Sequence, residues 1–124
     1  MATRNRGSRK AAGAGDAEVL NRTHLAHYTL DNPELEREIV SLFLAQLPVT
    51  IATMENAKTA TDWKMAVHTV KGSAAAVGAT RINAIAGELE GHAANRRSAS
   101  AKALMAEMQE AAEQFRTVAK RIFG

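Results

Sequence analysis

The sequence predicts an all-α protein: an antiparallel, up-down four-helix bundle with a short additional N-terminal helix. Three observations carry this expectation. Apolar residues recur at alternating spacings of four and three in several long segments, the spacing that lines one face of a helix. No segment alternates apolar and polar residues with period two, and no hairpin turn signal is present. Aromatic residues make up only 4% of the chain while Ala, Glu, Lys and Met are abundant, a composition that favours helices over strands. Four amphipathic helices with short connections make the bundle the simplest arrangement.

The elements follow in order. Residues 1–15 are rich in Arg, Gly, Ala and Ser without periodicity and read as a disordered basic tail, which leaves 16–124 as the domain. A short helix spans residues 17–29, with Asp16 as its N-cap. Its Leu20, Leu25 and Tyr28 either pack on the bundle or extend a partner-docking surface. Asn32 and Pro33 open a long second helix that runs to about Lys58, with Leu35, Ile39 and Leu42 or Phe43 heading its apolar stripe and Leu44, Leu47, Ile51 and Met54 continuing it. Pro48 inside it predicts a kink rather than a stop. Thr61 or Asp62 caps the third helix, whose stripe is Trp63, Val67, Val70, Ala74 and Val77, and Gly78 stops it. Thr80 caps a fourth helix with Ile82, Ile85 and Leu89, which ends at Gly91 and the 95–98 region. The fifth carries Leu104, Met108, Ala111, Phe115, Val118 and Ile122.

The bulk numbers bound what the chain does. A length of 124 residues suits one domain. The absence of Cys excludes disulfides and thiolate metal sites. No apolar run reaches the ~20 residues of a membrane span, and no apolar segment follows the basic N-terminus as in a secretory signal, so a cytoplasmic protein with no membrane partner is expected. The net charge of +3 suggests nucleic acid at first sight. Arg4, Arg6, Arg9 and Lys10 account for it, because residues 16–124 hold 12 basic and 13 acidic side chains. No basic stripe lies on any helix, so no nucleic-acid partner is expected. His24 and His27 lack a third ligand at metal-binding spacing, and no metal site is expected.

The stretch HTVKGSAAAVG, His68 to Gly78, carries the chemistry. Successive helical residues lie ~100° apart, so a core stripe through Val67 leaves His68 one step off it. His68, Lys71, Gly72 and Ala75 form a second, outward stripe, with Lys64 and Met65 one turn before His68 and Ala79 one turn after Ala75. A mid-helix Gly costs about 1 kcal/mol relative to Ala, which calls for a compensating role. Gly72 with Ala75 leaves a flat beside the imidazole where another protein can approach. A neutral imidazole is nucleophilic near neutral pH and takes a phosphoryl group on nitrogen. Lys71 would offset the charge of that group, and such transfer needs mainly positioning and neutralisation.

These residues resemble the signature of histidine-containing phosphotransfer (HPt) domains: a His, then Lys-Gly-Ser, small residues and a Gly. LDNPELEREIVSLF resembles that family's entry into its long second helix and RINAIAGELE its fourth helix, so the likeness covers about residues 17–123. Val70 departs conservatively from the usual Leu or Phe. The resemblance implies reversible phosphoryl transfer between a receiver-domain aspartyl phosphate and His68, with Lys71 beside the phosphoryl group and Gly72 and Ser73 on the docking surface. It also implies a possible ring-orienting role for Glu90. The partners implied are receiver domains of response regulators or hybrid histidine kinases, which bring their own Mg²⁺; no cofactor is expected in the chain itself.

The expected function is therefore a stand-alone, monomeric phosphorelay intermediate. A histidine kinase is disfavoured, because Thr69 rather than an acid follows His68, no Pro lies beyond Pro48, and nothing Gly-rich suggests a nucleotide lid. The alternative is a helical adaptor that binds signalling proteins without phosphorylation.

Overall fold

The computed structural model describes residues 19–124. The basic tail expected at 1–15 and the cap expected at Asp16 lie outside the described residues. Five helices follow: α1 (Arg22–Tyr28), α2 (Pro33–Glu55), α3 (Ala60–Val77), α4 (Thr80–Glu90) and α5 (Ala99–Phe123). No strand occurs among the described residues.

Short polar side chains set most helix starts by accepting the free N–H groups of the first turn. Asn21 accepts from His24 N at 3.0 Å, Asn32 from Leu35 N at 3.1 Å, Thr59 from Asp62 N at 3.0 Å and Ser98 from Ala101 N at 3.1 Å. Three expectations are corrected here. The first helix is interrupted: Val19 is helical, Leu20 and Asn21 are not, and Asn21 caps a new start. Thr59, not Thr61 or Asp62, caps α3. Thr80 already belongs to α4, whose N-cap Ala79 has no side-chain acceptor to offer, and the Thr80 hydroxyl donates back to the Gly78 carbonyl at 3.4 Å.

The buried stripe of α2 lies one residue later than its first half suggested. Glu36, Val40, Phe43, Leu47, Ile51 and Met54 face inward, while Leu35 and Leu42 are exposed and Ile39 and Leu44 are partly buried. Glu36 holds the first position of this series, at spacings of three and four, as a buried carboxylate, with Thr29 Oγ1 at 3.4 Å and Arg22 Nη2 at 3.7 Å. The helix runs on through Pro48, which faces solvent. An 18-residue window of α2 has a mean hydropathy of 1.3, long and apolar enough to cross a membrane by length and composition only, a test that a core helix also passes.

The four longer helices touch in a closed ring: α2 on α3, α3 on α4, α4 on α5 and α5 on α2. Their inward stripes meet in one core, where Val67, Ala74, Ala86, Leu89, Met108 and Phe115 are fully buried. Phe43 meets Phe115 edge to face at 5.1 Å and joins α2 to α5. Trp63 lies buried at the start of α3 and donates its indole N–H to Leu89 O at 3.1 Å. Helix α1 lies against α3 and α2. Leu20 and Leu25 pack in the core, whereas Tyr28 is exposed.

Candidate functional site

The core fixes the rotation of α3, and the rotation decides what faces solvent. Trp63, Val67, Val70, Ala74 and Val77 are all buried. One step beyond Val67, His68 is exposed, and its ring makes no hydrogen bond with any described residue. Lys64, Met65, Gly72, Ser73 and Ala75 are exposed on the same helix, with Met65 at 65%. A Cβ built on Gly72 meets nothing within 4 Å, so no internal packing requires glycine there.

Lys71 is half-buried and engaged. Its Nζ lies 2.8 Å from Glu90 Oε1 at the last residue of α4, with both side chains about 40% exposed. Glu90, expected near the ring, meets the lysine, and among the described residues it makes no hydrogen bond to the imidazole. Asn83 Nδ2 donates to the Lys71 carbonyl at 2.9 Å and ties this turn of α3 to α4. Sequence reasoning passed over Asn83, a poor helix former in the first turn of α4.

Ala79 does not belong to the outward face. It is fully buried, and its N–H donates to Ala74 O at 2.8 Å. The helical period that placed it one turn after Ala75 ends at Gly78, which adopts φ +76° and swings the chain inward. A Cβ on Gly78 would lie 2.6 Å from the Asn21 carbonyl oxygen, and Asn21 N donates to Gly78 O at 2.8 Å. Glycine there meets a positive φ and a close backbone approach together.

An open groove of about 880 Å³ runs between α2 and α3 past Val49, Thr53, Asn56, Met65 and Thr69, adjoining the His68 face. A second cavity of about 570 Å³, around Trp63, Arg96, Arg97 and Lys102, includes no residue of the outward stripe. Among the described residues no group of three or more His, Asp or Glu side chains is placed to hold a metal ion.

Among the described residues the regular structure is all helical, and α3 presents an exposed imidazole with no hydrogen bond to any of them, three residues before Lys71 and four before the exposed Gly72. The family model described as "Hpt domain" matches residues 38–118, more than half of the chain and inclusive of His68, Lys71, Gly72 and Glu90. The chain belongs to the Hpt domain family. Its members act in histidine phosphotransfer in two-component phosphorelays, where they interact with receiver domains and histidine kinases. No curated protein and no solved structure matches the chain.

Proposed function

We propose that this protein is a phosphorelay intermediate in which His68 accepts a phosphoryl group from a receiver-domain aspartyl phosphate and passes it to another receiver. One observation carries the reading: the His68 ring is exposed and makes no hydrogen bond among the described residues, four positions before a glycine whose Cβ direction is empty. A lone pair on an imidazole nitrogen attacks phosphorus in line. The bond from phosphorus to the aspartyl oxygen breaks, and the carboxylate leaves with the electron pair. The receiver supplies Mg²⁺, and Lys71 adds positive charge from this chain. Lys64, Met65, Gly72, Ser73 and Ala75 form the docking surface. The closed ring of helix contacts supports the antiparallel four-helix arrangement, with α1 as the added N-terminal helix. A cytoplasmic monomer suits a partner-exchanging carrier of this kind.

Incubation with a ³²P-labelled receiver and Mg²⁺ tests the reading. The chain acquires label that survives alkali and is lost in acid, and His68→Gln removes it while helicity by circular dichroism is unchanged. A wild-type chain that binds the receiver yet takes no label would be an adaptor instead.

A further inference from the structure

Given His68 as the phosphoacceptor, the ion pair between Lys71 and Glu90 raises a second question. A carboxylate is an unexpected neighbour for a site that must hold a dianion. Lys71 follows His68 by three residues, which puts the two on one face of the helix, and long helical side chains lean toward the helix N-terminus, so the imidazole turn is within the lysine's reach. Glu90 reaches the ammonium from α4, at 2.8 Å. Both side chains are about 40% exposed, so water competes for the pair and its net strength is small. A phosphoryl group with up to two negative charges and three acceptor oxygens is the stronger partner for an ammonium. Asn83 holds the Lys71 carbonyl at 2.9 Å, so exchange of partners is confined to side chains while the helices stay in place.

We propose that Glu90 is a positioning residue that holds the Lys71 ammonium in the resting protein and competes with the phosphoryl group on His68 for it. When the phosphoryl group arrives, Lys71 turns to it and Glu90 is left with an unneutralised charge nearby. The carboxylate thereby lowers the stability of the phosphohistidine and keeps the group transferable. Without Glu90, Lys71 would serve the phosphoryl group alone, and exchange would lie further toward the histidine.

The test measures the equilibrium distribution of ³²P between a purified receiver with Mg²⁺ and the full chain. An equilibrium partition, unlike a rate, is insensitive to how fast the proteins dock. Glu90→Gln is expected to shift the partition toward His68 by about two- to fivefold, the range open to a partly exposed ion pair. Glu90→Asp, which keeps the charge, shifts it less. In a Lys71→Ala background the competition for the ammonium is gone and only direct repulsion between Glu90 and the phosphoryl group is left, so the Glu90→Gln shift is smaller. No shift with Glu90→Gln, or an equal shift with and without Lys71, would overturn the inference while leaving His68 as phosphoacceptor. A wild-type chain that takes no label overturns the phosphoacceptor reading and this inference with it.

Discussion

At the scale of single residues, neighbours on one helix divide their roles by angle. Val67 is fully buried and His68 exposed because ~100° of rotation separates them. Gly72 shows the same logic in reverse: it lies on an exposed face with nothing within 4 Å of a Cβ, so folding has no need of a glycine there. Gly72→Gln is therefore expected to stabilise the fold by about 0.5 kcal/mol, since Gln is the better helix former. If His68 is the phosphoacceptor as proposed, the same change should cut phosphotransfer by at least about tenfold, because the added side chain would stand on the face proposed for docking. Urea unfolding and a transfer assay on one preparation check both. Opposite signs are the expected signature of a functional glycine, and a loss of stability would mark a packing role. Lys71 carries a further lesson: its place on the stripe was readable, but its partnership with Glu90 joins residues nineteen apart and depends on how α4 packs against α3.

At the scale of elements, the α3–α4 turn organises the site. Gly78 ends α3 in a left-handed conformation, and the Asn21 backbone rests directly against it. This contact explains the break in the first helix: Asn21 gives its N–H to the Gly78 carbonyl and its side chain to the start of α1. Gly78→Ala is expected to cost about 2 kcal/mol or more, from positive φ and a 2.6 Å clash with backbone that has little room to yield. Chemical denaturation measures the cost. Hydrogen exchange should show α1 losing protection before α3, and uniform loss across all helices would contradict a local contact. The head of α2 was misread for a related reason. Leu35 and Leu42 look like core residues, yet the buried series at spacings of three and four begins with Glu36, whose carboxylate finds Thr29 and Arg22 on neighbouring segments. A buried carboxylate is tolerated only with such partners, and they come from outside the helix that carries it.

At the scale of the whole molecule, the ring of helices packs behind the helix that carries His68. Phe115 is fully buried, and its edge-to-face contact with Phe43 joins α5 to α2 across the core. Phe115→Ala is expected to cost about 3–5 kcal/mol, read as a lower urea midpoint. The His68 surface is formed by α3 itself, so phosphotransfer by the remaining folded fraction should be near normal. A variant that folds fully yet transfers poorly would show that the core tunes the site as well as supporting it.

Period and residue type carried the helices, the inward stripe of α3 and the outward direction of His68, because rotation along a helix is a local property that follows from spacing alone. They also carried the starts of α2 and the stops at Gly78 and Gly91, where one residue's chemistry suffices. Packing between segments settled the rest: Ala79 turned inward past Gly78, Glu36 taken into the core, and Glu90 drawn to Lys71. Each of those outcomes depends on an atom supplied from elsewhere in the chain. Spacing along one helix carries no information about which atom that will be.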